Sequence, residues 1–197
     1  MIYKMGKLEC LVKETEKFEG KDIGAILGFD KYRSIEDVYA EKIGEIEFLR
    51  QGLEVIYWTS TLEEVVSREF MIRTKKKIRK NNINSVDKDY EYMVSNVNRK
   101  IIGENSILDC KVINGIDEAQ INDKNFIRMR VLEAQHNMKV KEVDKCYIAM
   151  LINGRKFILK EIKRDESLIS KIVKVEEKFW NYYIKKKVKP NESLSLD

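Results

Sequence analysis

Tyr92-Met-Val-Ser-Asn-Val-Asn98-Arg-Lys-Ile-Ile-Gly103-Glu-Asn-Ser-Ile-Leu-Asp109-Cys-Lys111 is the stretch on which the reading of this chain turns. Two β-rich runs flank the turn former Gly103-Glu104-Asn105, a pattern that predicts a hairpin. The second run ends in an acid, a spacer and a lysine. Such a tripeptide suits phosphodiester hydrolysis: carboxylates on adjacent strands hold divalent metal, and the ammonium stabilises negative charge as water attacks phosphorus. The partner position on the first strand, where a second Asp would complete the pair, is Asn98.

On the N-terminal side, Asp22 to Gly28 reads as a short apolar helix with an acidic start and a glycine stop. Ser34 followed by Asp37 resembles a capping box, and Gly44 closes that second helix. A longer helix runs from about Gln51 to Lys77, with Ile56, Val66 and Phe70 at helical period and Glu63 on the same stripe. A carboxylate facing a core needs a cation or a donor. Either a salt bridge or exposure by helix fraying accounts for Glu63, or it is a metal-site carboxylate facing the strands that carry Asn98 and Asp109. The helix is expected to end in the basic run Lys75, Lys76, Lys77, Arg79 and Lys80. Such a cluster is a solvated, dipole-favoured face or a contact for phosphates.

On the C-terminal side, Phe126 to Lys141 is predicted helical, with Ile127, Val131, Ala134 and Met138 on one face. Glu133 lies on a neighbouring stripe as a second inward carboxylate that Arg130 is placed to pair. His136, the only histidine, is expected to be partly exposed and inert. Asn153-Gly154 between two strand-like runs predicts a type I′ hairpin, and a last helix starts near Asp165. The sum is an α/β (α+β) chain with a mixed central sheet flanked by helices.

At 197 residues the chain suits one domain, expected over 1–189, with 190–197 as a disordered polar tail. The net charge of +5 suits a polyanionic partner without requiring one. Three scattered cysteines without a C-x-x-C pair indicate neither a disulfide framework nor a zinc site. With no apolar run of membrane-spanning length, the expectation is a soluble cytoplasmic protein.

The ordered motifs resemble the YqaJ-like viral recombinase family, relatives of lambda exonuclease within the PD-(D/E)XK, restriction-endonuclease-like superfamily. Gly20 to Gly28 with Asp37-Val-Tyr39 and Lys42-Ile-Gly44 is similar to its N-terminal helix motif, and Tyr57-Trp58 with Leu62 to Val66 and Arg68-Glu69-Phe70 to its metal-binding helix. Met93 to Arg99, Gly103-Glu104 and Leu108 to Lys111 are similar to its catalytic strands. Gln135-His136, Met138, Tyr147 to Ile152 and Lys156-Phe157 are similar to its closing helix and hairpin.

The resemblance implies an Mg²⁺- or Mn²⁺-dependent exonuclease that resects double-stranded DNA from a 5′ end for a phage single-strand annealing protein. It further implies a homo-oligomer, as in the trimeric ring of lambda exonuclease. Glu63 and Asp109 become metal ligands, Lys111 stabilises charge, Gln135 positions the site, and Lys21 occupies the phosphate end. The departures are Asn98 for the metal-bridging Asp, Lys21 for a Ser, Asp109 for the usual Glu, and Glu133 and Asn137 for Gln and Tyr. A neutral amide is a poorer ligand for Mg²⁺ than a carboxylate. Three accounts fit: a laboratory replacement at 98, compensation by Glu133, or a decayed site kept for binding. Since the departures are scattered, the first alone is insufficient. The alternative function is an inactive nuclease-fold module that binds nucleic acid or a host nucleoprotein, as a counter-defence inhibitor would.

Overall fold

The computed structural model describes residues 17–45, 53–80 and 84–196, with the side chains of 53–56 left aside. The side chain of the predicted core position Ile56, and residues 10 and 81–83, lie outside that set. The elements run β1 (Phe18–Glu19), α1 (Gly20–Ile26), α2 (Ile35–Lys42), α3 (Leu53–Thr74), β2 (Ile78–Lys80), β3 (Ser85–Val86), β4 (Met93–Ser95), β5 (Arg99–Ile101) and β6 (Ser106–Ile113). They continue with α4 (Glu118–Ile121), α5 (Lys124–Lys141), β7 (Lys145–Ile152), β8 (Lys156–Lys163) and α6 (Glu166–Lys178), which passes into a π-helical stretch, Phe179–Ile184.

The strands form two mixed sheets, one ordered β1-β4-β3 and the other β2-β5-β6-β7-β8. In the larger sheet β6 and β7 are parallel, joined by the crossover through α5, and the other neighbours are antiparallel. The β7–β8 hairpin turns at Asn153 and Gly154, both with positive φ (50° and 67°), as a type I′ turn requires. Helix α3 covers one face of this sheet, packing Val66 and Phe70 on Leu108, Cys110, Tyr147 and Ala149. Helix α5 covers the other, with Ala134 and Met138 against Ile107, Ile148 and Met150. A further core joins α1, α2 and α6 through Ile23, Ile26, Val38, Ile172 and Phe179. Cys110 and Cys146 are buried free thiols. No helix among the described residues is long and apolar enough to cross a membrane.

Helix starts follow local chemistry. The Ser34 hydroxyl accepts from the Asp37 N–H at 3.1 Å while Asp37 accepts from the Ser34 N–H at 2.8 Å. Asp22 accepts from the Glu19 N–H at 2.9 Å to start α1, and it also binds Arg33 and Lys42, each at 2.7 Å. The side chains of Asp22 and Lys42 are almost wholly buried, so this ion cluster ties α1 to α2 inside the fold.

Four sequence-based expectations need correction: the central hairpin, the basic run, His136 and Ile127. The first predicted strand of the central hairpin splits at residues 96–98, sending Met93–Ser95 to the small sheet and Arg99–Ile101 to the large one. Residues 78–80 of the basic run do not continue α3; after Lys75 turns the chain at φ 59°, they pair with β5 as an edge strand. Near the C-terminus the Leu194 N–H donates to the Ile26 carbonyl at 2.9 Å and its side chain joins the α1–α6 core. His136 is fully buried, its Nδ1 2.8 Å from Glu176 Oε1 and its Nε2 2.9 Å from the Val94 carbonyl. Leu132, His136 and Val140 share one helical stripe, and all three are buried. Ile127, expected inward, is half exposed.

Candidate active site

Asp109 and Lys111 lie two residues apart on β6, so the strand's alternation sends both side chains toward α5. There Glu133 meets them from the helix. Lys111 Nζ stands 2.5 Å from Glu133 Oε1 and 3.2 Å from Asp109 Oδ2, and Arg130 Nη1 lies 2.8 Å from Glu133 Oε2. Asp109, Lys111 and Glu133, together with Glu63, Asn98 and Asn137, line a cavity of about 220 Å³, and Arg130 backs Glu133 from outside it. Glu63 reaches it because Val66 and Phe70, three and seven residues on, fix which face of α3 meets the sheet.

The split in the first strand positions Asn98. In the antiparallel β5–β6 pair Arg99 opposes Leu108 and Lys100 opposes Ile107, so one further step sets Asn98 opposite Asp109. Its amide oxygen accepts from Arg99 Nη1 at 3.2 Å. That buried guanidinium also lies 3.7 Å from Glu63 and 2.9 Å from Glu64. Arg99 is a site residue that sequence reasoning passed over, although it adjoins Asn98.

The charges divide the acids into two kinds. Burial pushes the Asp109 carboxyl above its ordinary range, and the Glu133 charge adds to that against the pull of Lys111. Burial likewise raises Glu63, with Arg99 and Lys111 opposing and Asp109 reinforcing. Glu133 goes the other way: burial opposes its ionisation, but the Arg130 and Lys111 charges outweigh it and hold its carboxyl at about 2. Burial disfavours the Lys111 ammonium, yet Asp109 and Glu133 keep it charged well above its usual range. Asp109 Oδ2 is buried with no hydrogen bond of good geometry.

The wall between α1 and α5 is set by Gly20. A Cβ there would stand 2.9 Å from the Glu133 carbonyl oxygen and 3.1 Å from Glu133 Cγ, so a side chain at 20 would press on the residue that holds Lys111. Lys21 lines the same cavity and pairs with Glu19 at 2.8 Å.

Two sequence-based assignments are not brought to the cavity. Gln135 points elsewhere, donating to the Lys163 carbonyl at 2.8 Å and accepting from the Asp165 N–H at 3.0 Å, so it joins β8 to the start of α6. The basic run lies along the β2 edge. Lys76 pairs with Glu104 and Lys80 with Glu64, while Lys75, Lys77 and Arg79 are exposed. Only Lys80 communicates with the cavity, through Glu64 and Arg99.

The chain is similar to known proteins at two levels, sequence and fold. The profile of the YqaJ-like viral recombinase domain matches residues 15–149. The uncharacterized protein YqaJ of Bacillus subtilis (strain 168) is 34% identical over 179 residues, which take in 90% of this chain and 56% of that protein. This chain thus spans little more than half the length of that relative. Among solved structures, the alkaline exonuclease LHK-Exo from Laribacter hongkongensis superposes with a TM-score of 0.68 at 12% identity, covering 91% of this chain and 97% of its own. A phage-related exonuclease from Haemophilus somnus 129PT gives 0.64 at 14% identity, covering 87% and 96%. The fold is therefore that of phage-type exonucleases, and the chain belongs to the YqaJ-like viral recombinase domain family.

Proposed function

We propose that this protein is a divalent-metal-dependent deoxyribonuclease that resects duplex DNA in phage-type recombination in the cytoplasm of a bacterial host. The observation that carries the reading is the convergence of Glu63, Asp109 and Lys111 on one small cavity from a helix and a strand. The donors suit a hard cation: two carboxylates with raised pKa values, one of them with a buried oxygen that makes no well-formed hydrogen bond although the Lys111 ammonium stands 3.2 Å away. Among the described residues no group of three or more acidic, histidine or cysteine side chains is placed to hold a metal ion. Mg²⁺ or Mn²⁺ would rest on the one or two carboxylates of Glu63 and Asp109, with water and substrate phosphate as the other ligands. The cation supplies Lewis acidity and a more acidic bound water.

The protein's own groups do the rest. Lys111 has three N–H donors and at most two face Asp109 and Glu133, leaving one for a phosphate oxygen. Glu133 holds that ammonium in place and is itself held by Arg130. Lys21 stands at the cavity's α1 side, where a second phosphate would meet positive charge. A related fold has been crystallised as LHK-Exo in complex with dAMP, which supports a nucleotide as the ligand class.

A second reading has its own observation. Lys111, Arg130 and Arg99 already face Asp109, Glu133 and Glu63, so the cavity balances its acids without a cation. That suits an inactive module that binds DNA or a nucleoprotein.

Digestion of duplex DNA with Mg²⁺ and Mn²⁺ separates the two, using the chain as it stands, Asn98→Asp, and Lys111→Ala as the silent control. Metal-dependent loss of duplex in the first two supports the nuclease. Silence in both, with retained DNA binding at moderate salt, supports the binding module.

A further inference from the structure

Beside the cavity lies a larger groove of about 740 Å³, between the α1–α2 connection, the end of β6 and the start of α5. The two are neighbours along β6: Lys111 lines the cavity, and Ile113, on the same face roughly 7 Å further on, lines the groove. The Arg130–Glu133 ion pair stands between them, Arg130 on the groove side and Glu133 on the cavity side.

The groove's chemistry differs from that of a phosphate track. Each cation facing it already faces a carboxylate: Arg33 binds Asp22 and Glu41, Arg130 binds Glu133, and Lys31 lies 3.9 Å from Asp123. Asp30 and Asp37 add further negative charge. A polyanionic backbone gains little there. The remaining walls are Phe29, Phe126, Met129 and Ile113, with Tyr32 at the rim 79% exposed. Gln120 donates to the Tyr32 hydroxyl at 3.2 Å, and Asn114 adds a second amide. Aromatic faces with a few amides, where each lining cation already has a carboxylate neighbour, match a nucleobase, which stacks on rings and hydrogen-bonds along its edge.

We infer that this groove receives the unstacked bases of the DNA strand whose phosphate occupies the cavity, with Tyr32 as the stacking residue. The inference rests on the nuclease reading for the position of the phosphate. It makes the strand's bases, as well as its backbone, part of what the protein grips.

The test is fluorescence-anisotropy binding of the full chain to a short single-stranded oligonucleotide and to one of equal length built of abasic residues, without divalent metal. Wild type is expected to bind the natural strand about tenfold tighter than the abasic one. Tyr32→Ala, at an exposed position, should erase that preference while melting at the same temperature as wild type. Gln120→Ala should weaken the preference without abolishing it. Equal binding of both strands by wild type, no binding of either, or a preference that survives Tyr32→Ala overturns the inference. Digestion of duplex DNA is followed in parallel. A base preference without digestion keeps the groove and removes the nuclease; digestion without base preference does the reverse.

Discussion

Lys111 Nζ and Glu133 Oε1 are 2.5 Å apart, a contact that joins the lysine of β6 to an acid on the helix opposite. Glu133→Gln keeps the shape and removes the charge. Arg130 then loses its ionic partner, and removing one member of a buried pair costs about 3 kcal/mol. DNA digestion should fall at least tenfold, read from initial rates below the melting transition. Unchanged digestion would show that the lysine is positioned without Glu133.

Asn98→Asp adds a carboxylate opposite Asp109. Arg99, already 3.2 Å from the amide oxygen, is in place to balance it. Affinity for Mn²⁺ measured by calorimetry should rise tenfold or more, since a carboxylate is the stronger ligand for a hard cation. An unchanged affinity would place the cation away from β5.

Both nitrogens of His136 face oxygen acceptors, Glu176 and the Val94 carbonyl, so the ring is held doubly protonated. Burial works against that charge, but Glu176 prevails and lifts the imidazolium to about 9. The stabilisation is full below the unfolded value near pH 6.5 and fades as pH rises through about 9, a loss on the order of 3 kcal/mol. Chemical denaturation at pH 6 and pH 10 should show it, and His136→Gln, destabilised throughout, should show a flatter profile. Equal slopes for the two proteins would assign the pH dependence elsewhere.

Asp22→Asn leaves Lys42, buried beside it, without a carboxylate. A loss of about 3–5 kcal/mol in urea unfolding is expected. A loss below about 1 kcal/mol would mean that the cluster is hydrated in solution.

Gly20→Ala brings a methyl to within 2.9 Å of the Glu133 carbonyl. Overpacking of this sort costs typically 1–3 kcal/mol, and α1 must shift from α5. Thermal melting should fall and digestion should fall with it, whereas Gly44→Ala, whose Cβ meets nothing within 4 Å but whose φ of 77° strains an alanine, should lower melting and spare digestion.

The sequence disclosed the pieces whose signal is local. Ser34 with Asp37 marked a helix start, Asn153-Gly154 marked a hairpin, and the Val66–Phe70 period aimed Glu63 at the sheet. The Asp109-x-Lys111 spacing set both groups on one strand face. Hidden were the features that depend on distant partners. Nothing near Gln135 reports that Lys163 and Asp165 will claim its amide, and nothing near Lys80 reports that β5 will pair with its backbone. The inward stripe of His136 was present in the spacing of Leu132 and Val140, but a lone histidine reads as exposed until Glu176 is brought to it from forty residues away.

The break at residues 96–98 gives the cavity a seam. Asn98 hangs between a small sheet whose strands are two or three residues long and a large one anchored by the eight-residue strands β6, β7 and β8. Short strands of this kind open first in local fluctuations, while the long parallel pair holds to the global limit. Amide exchange at Val94 should therefore outpace exchange at Ile148. The part of the protein that is slow to exchange would carry Asp109 and Lys111, and the part that breathes would carry the edge on which Asn98 hangs.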